Sequence, residues 1–112
     1  MDKALRNILI DMRKAALEAI EIASATESVE AFVESRAVFR SSERLVSIIG
    51  EAAIQKRVEL SSLLPDQPWD QIIGMRHRII HDYRNLRNET LFEVVKDFLP
   101  RLAKDIESVL PR

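Results

Sequence analysis

Residues 2–23 read DKALRNILIDMRKAALEAIEIA, and within them Leu5, Ile8, Leu9, Met12, Ala16, Ala19, Ile20 and Ala23 recur at intervals of three and four. At 3.6 residues per turn these positions form one apolar stripe, with Arg6, Lys14, Glu18 and Glu21 largely outside it. A strand repeats every second residue and would scatter the same side chains over both faces. The stretch therefore predicts a long first helix, from Asp2 to about Ala23, with one face in a core.

The rest of the chain follows the same period. Ser24, Thr26 and Ser28 are residue types that cap helices, which predicts a break followed by a short helix over VEAFVES (29–35), its Phe32 and Val33 toward the core. A third helix is expected from about Ala37 to Val58, burying Val38, Leu45, Ile48, Ile49, Ala52 and Ala53. Gly50 falls inside it, and because a mid-helix glycine costs roughly 1 kcal/mol relative to alanine, it marks a close approach of another helix. SSLLPDQPW (61–69) is the clearest loop, since Pro65 and Pro68 both oppose helix before them while Pro68 suits a helix start, with Trp69 as anchor. A fourth helix is expected through IIGMRHRII (72–80) and a last one over about Glu89 to Val109, kinked at Pro100. Only two glycines interrupt the chain, and the reading is all-α.

The 112 residues fit one domain, 1–112, without repeat, low-complexity segment or linker. No cysteine is present, which removes disulfides and thiolate metal sites and makes a reducing, cytoplasmic setting the natural expectation. The opening residues mix charge into their apolar positions, unlike a signal peptide, and no apolar run is long enough for a membrane span. A formal net charge of −1 argues against coating nucleic acid through a global field, so any such contact must be local.

Chemistry concentrates in GMRHRIIHDYRNLR (74–87), which holds Arg76, Arg78, Arg84, Arg87, both histidines and the only tyrosine. Arginine offers a planar fork of donors for phosphate, histidine moves a proton near neutral pH, and tyrosine can hydrogen-bond or stack on a base. The bland alternative is a solvated basic helix face. His77 and His81 also have the i, i+4 spacing of a helical metal pair, but no H-E-x-x-H pattern or cysteine completes it and Arg76 and Arg78 would repel a dication. The expectation is a site without metal or other cofactor. Geometry constrains the rest: the step from Arg76 to His81 rotates by roughly 140°, while Arg76 and Tyr83 nearly align, so one straight helix cannot aim all three together. Either the helix ends near His81, with Asp82 and Tyr83 in a turn, or a second copy of the chain completes the site. Cleavage of RNA through its own 2′-hydroxyl needs a base and an acid, and two copies of His81 across a two-fold axis could supply both.

Arg76, four residues, His81, one residue, Tyr83 resembles the R-x-x-x-x-H-x-Y signature of HepT-like toxins of the HEPN superfamily. IIGEAA (48–53) resembles that family's mid-chain helix, Pro68 and Trp69 precede the motif at the expected remove, and the likeness continues to Glu89 and Phe92. The chain departs from the pattern near Asn85 and Arg87, where glycine and an acidic residue are expected, and Asp82, at the variable motif position, is read as orienting a neighbour. The resemblance implies an antiparallel HEPN bundle of four to five helices, paired as a homodimer, with Arg76 and His81 catalytic in a metal-independent endoribonuclease. Arg78, Arg84 and Arg87 then fall to the RNA. It further implies a cognate MntA-like minimal nucleotidyltransferase antitoxin that silences the toxin by transferring AMP to Tyr83. Two other readings stand beside this one: a non-catalytic HEPN subunit that holds nucleotide or substrate for a nucleotidyltransferase, and a dimerisation adaptor with an incidental basic face.

Overall fold

The computed structural model describes residues 1–111. Its first helix, α1 (Lys3–Ala23), begins where the Asp2 carboxylate accepts the Leu5 backbone N–H at 2.8 Å, satisfying one of the donors that a helix start leaves free. Leu9, Met12, Ala16, Ala19 and Ala23 are fully buried along the predicted stripe. Thr26 and Ser28 then turn the chain: the Thr26 hydroxyl donates to the Ala23 carbonyl at 2.9 Å, and the Ser28 hydroxyl caps α2 (Val29–Glu34) by accepting the Ala31 N–H at 3.1 Å. Phe32 is completely buried and stands edge-on to Phe39 and Phe92, ring centroids 5.6 and 5.4 Å apart.

The third helix is shorter than its apolar pattern suggests. α3 (Arg36–Gln55) ends at Lys56, whose φ of −127° and ψ of 36° leave the helical region, and a separate α4 (Arg57–Leu63) follows. Val58, expected at the end of the third helix, lies in α4 and is 77% exposed. One straight helix over residues 36–63 would run roughly 42 Å, matching the full 41 Å length of the molecule. The bend at Lys56 instead returns Leu60 and Leu64 to the core. Both backbone groups of Lys56 stay paired across the bend: its N–H reaches Ala52 and its carbonyl receives Leu60. For the same reason Ser61, Ser62 and Leu63 are helical rather than part of the loop, which is confined to 64–68. Proline restricts only the residue before it, here Leu64 and Gln67, so the helix survives up to Leu63.

α5 (Trp69–His81) packs chiefly on α3, which in turn packs on α1. The C-terminal helical run comprises α6 (Asn88–Glu93), a π-helical segment (Val94–Phe98) and α7 (Leu99–Val109), with α7 against α1. Pro100 has no N–H to give to the carbonyl of Lys96 and its ring crowds that carbonyl. The widened π turn that precedes it accommodates both effects. Lys96 itself donates to the carbonyl of Ala23 at 2.7 Å, tying this segment to the end of α1. Among the described residues there is no strand, and no helix is long and apolar enough to cross a membrane.

Candidate active site

α5 is held from three sides at its first turn. Trp69 is buried and its indole N–H donates to the Leu64 carbonyl at 2.9 Å, Asp70 pairs with Arg57 of α4 at 2.8 Å, and Gln67 in the preceding loop donates to Asp105 of α7 at 2.7 Å. Trp69, Ile72 and Met75 then bury one side of the helix at intervals of three. The following residue, Arg76, lies where α5 crosses α3 over Gly50. A Cβ on Gly50 would stand 2.5 Å from the Arg76 Cβ, far inside carbon–carbon contact, so the close approach foreseen at this glycine is real and its partner is the motif arginine.

Arg76 is half-buried, its side chain 24% exposed, in a groove of about 290 Å³ bounded by α1, α3 and α5. One terminal nitrogen, Nη2, forms an ion pair with Glu51 Oε2 at 3.0 Å, while Nε is buried without a hydrogen-bond partner. Ile80, one turn further along α5, lines the same groove and is 46% exposed.

The helix ends at His81, as the turn reading expected. Asp82 leaves helical conformation with φ −146° and ψ 43°, its N–H still bonded to the Arg78 carbonyl, and Tyr83–Asn85 form a single 3₁₀ turn. Asp82 does orient a neighbour: its carboxylate accepts the Asn85 side-chain amide at 2.8 Å, fixing the turn at a position where the family pattern is broken. His81 is exposed, its ring 5.2 Å from that of His77 at a tilt of 47°. Tyr83 is 64% exposed, leaving its ring open to a partner molecule.

The structure thus divides the predicted residues. Arg76 occupies the groove; His81 lies beyond its lining, on the adjoining arc of the helix surface; Tyr83 follows in the turn. Arg78 points to the other side of α5 and lines a larger groove of about 710 Å³, between α5 and the C-terminal run and floored by Val46 and Ile49. Arg84 and Arg87 are exposed beyond the helix end. Among the described residues no three His, Asp or Glu side chains are placed to share a metal ion. The sequence reading did not identify Glu51 as the arginine's partner, although Gly50 beside it carried the signal of close packing.

Compared with known proteins, residues 13–109 match the family model described as ribonuclease HepT-like, a span that includes both grooves' α5 lining and the whole motif. The chain belongs to the HepT-like family. Among its relatives, this HepT-like chain is 27% identical over 105 residues to a candidate RNase of Methanocaldococcus jannaschii, covering 94% of this chain and 95% of that protein. It is 31% identical over 85 residues to a candidate RNase of Caldanaerobacter subterraneus subsp. tengcongensis, 76% of each chain. A protein of Thermococcus cleftensis named probable ribonuclease HepT is 32% identical over 66 residues, 59% of this chain and 60% of that one. No solved structure gives a significant match.

Proposed function

We propose that this HepT-like chain is the toxin of a HEPN and nucleotidyltransferase toxin–antitoxin pair, a cytoplasmic, metal-independent endoribonuclease that acts as a homodimer. The observation that carries the reading is the division of the motif: Arg76 lies in a groove and His81 outside it on an exposed arc of the helix, so that each chain carries one motif histidine where the reaction needs a base and an acid. Two chains related by a two-fold axis would present both. In that arrangement one His81 takes the proton of the RNA 2′-hydroxyl, and the oxygen attacks the adjacent phosphorus in line. Arg76 stabilises the extra negative charge on the phosphoryl oxygens. The second copy's His81 gives a proton to the departing 5′-oxygen, leaving a 2′,3′-cyclic phosphate and a free 5′-hydroxyl. The exposed Arg78, Arg84 and Arg87 are assigned to the RNA backbone beyond the scissile bond.

Tyr83 is assigned to regulation. Its exposure supports attack by the phenolic oxygen on the α-phosphorus of ATP bound to a cognate MntA-like nucleotidyltransferase, with pyrophosphate leaving and the phenolic proton lost to solvent. The adenylate would add bulk and negative charge two residues from His81 and repel the RNA phosphate.

The test is cleavage of a mixed RNA pool by purified protein in excess chelator. Wild type is expected to cut and to leave cyclic phosphate ends, and His81→Ala to lose roughly 10²–10⁴-fold in rate, the usual contribution of general acid–base catalysis. Cleavage that needs an added metal ion, or that persists in His81→Ala, refutes the mechanism. A dimer that never cuts RNA yet raises the activity of its nucleotidyltransferase would instead make the chain a non-catalytic subunit.

A further inference from the structure

The reaction proposed above gives no role to Gly50 or to its neighbour Glu51, yet both touch Arg76. The missing side chain at Gly50 is the space into which the arginine stem is laid: a Cβ there would meet Arg76 Cβ at 2.5 Å, Cγ at 3.2 Å and Cδ at 3.3 Å. The first three carbons of the stem therefore lie across the backbone of α3, which limits the rotamers open to them. Glu51, the next residue on α3, meets the other end of the same side chain at 3.0 Å. Two consecutive residues on one helix thus fix the stem by shape and the head by charge.

The guanidinium is consequently presented in one orientation. Nε is enclosed, Nη2 faces Glu51, and Nη1 has no protein partner and is not among the buried unpaired atoms. That leaves the Nη1 edge as the part of the fork open to the groove, where Arg44 also lies and Asp11 supplies an opposing charge. A free arginine on a surface helix samples many rotamers, and ordering it at the moment of reaction would cost entropy.

We infer that Gly50 and Glu51 are the seat of Arg76, positioning residues that aim the Nη1 edge at the phosphoryl group of the RNA. The inference rests on the ribonuclease reading. Glu51 touches the arginine and not the reacting atoms, so its effect belongs in the chemical step more than in RNA affinity. Its own negative charge is half exposed, and solvent screens its repulsion of the phosphate.

The experiment compares wild type, Glu51→Ala, Glu51→Gln and Arg76→Ala in two measurements. The first is the RNA cleavage rate and KM, with thermal unfolding as a check that each variant is folded. The second is the side-chain Nε–H resonance of Arg76 in ¹H–¹⁵N spectra, assigned by its loss in Arg76→Lys, with its solvent-exchange rate. Glu51→Ala is expected to lower kcat on the order of 10²-fold with a much smaller change in KM, as misplacement of a catalytic group does. It should also speed exchange of the Nε–H. Glu51→Gln keeps the size of the side chain but not the charge that holds Nη2, and should behave like Glu51→Ala in both. A Glu51→Ala protein with unchanged kcat and exchange overturns the inference. So does one that cuts faster and binds RNA more tightly, because Glu51 would then be competing with the phosphate for the arginine. If wild type does not cut RNA, or Arg76→Ala cuts as well as wild type, the ribonuclease reading fails instead. The exchange measurement still decides whether Glu51 orders Arg76.

Discussion

Replacing Gly50 with alanine sets two effects of opposite sign against each other. In a helix interior, alanine is favoured over glycine by roughly 0.5–1 kcal/mol, chiefly through the entropy of the unfolded chain. At position 50 the new methyl would stand 2.5 Å from the Cβ of Arg76, where carbon atoms prefer separations of about 3.5–4.0 Å. The conflict is with a stem carbon fixed to the α5 backbone, so no side-chain rotation relieves it; α3 and α5 must separate by roughly 1 Å. Overpacking of this kind costs about 1–3 kcal/mol. The steric term wins, with a net loss of about 1–2 kcal/mol, or a fall in Tm of roughly 4–15 °C for a domain near this size. Thermal unfolding followed by circular dichroism gives the global value, and the fluorescence of Trp69, buried at the start of α5, reports the displaced helix. Gly74→Ala is the internal control: there the nearest new contact is the Arg78 guanidinium at 3.9 Å, and the ordinary gain of about 0.5–1 kcal/mol is expected. A Gly50→Ala protein as stable as Gly74→Ala would refute the packing argument and remove the steric half of the arginine seat.

Two further experiments check the frame that carries α5 and the C-terminal run. Phe32→Ala removes a ring that is completely buried against Phe39 and Phe92, and should lower stability by about 3–5 kcal/mol, measurable as a shift in urea midpoint at constant m-value. The Arg57–Asp70 pair joins α4 to α5 at 2.8 Å but is largely solvent-exposed; a double-mutant cycle with Arg57→Ala and Asp70→Ala should return a coupling below about 1 kcal/mol, and a much larger value would mean that this pair, rather than Trp69, anchors the helix.

The parts of this fold that could be read from sequence are those with local causes. The α1 stripe, its Asp2 cap, the Ser28 cap of α2 and the start of α5 at Trp69 each depend on residues within one or two turns. The break at Lys56 has no such cause. Neither proline nor glycine marks it, and it exists because Leu60 and Leu64 find the core only if the chain turns there. The same limit applies to the site. Rotation along a helix established that His81 is turned roughly 140° from Arg76 while Tyr83 nearly aligns with it, and it could also have separated Arg76 from Arg78, which are about 200° apart and face different grooves. The ion pair with Glu51 lies beyond such reasoning, since it joins positions 25 residues apart in sequence whose meeting is fixed by the crossing of α3 and α5. A glycine in the middle of an otherwise good helix was the one trace of that crossing.

The placement of the motif along α5 has a physical logic of its own. The phosphate contact proposed for Arg76 gains from a rigid setting, and Arg76 sits mid-helix against the backbone of α3, its stem confined by Gly50. The proton exchange proposed for His81 and the adenylation proposed for Tyr83 both need access, and the two residues stand exposed at the end of the helix and in the turn beyond it. One helix therefore supplies both environments by where it stops. Extending α5 through Tyr83 would rotate the tyrosine back toward the Arg76 side, whereas the Asp82 turn, held by Asn85, releases it from that register. The position of the helix end is what allows the arginine to remain seated while the histidine and tyrosine face outward.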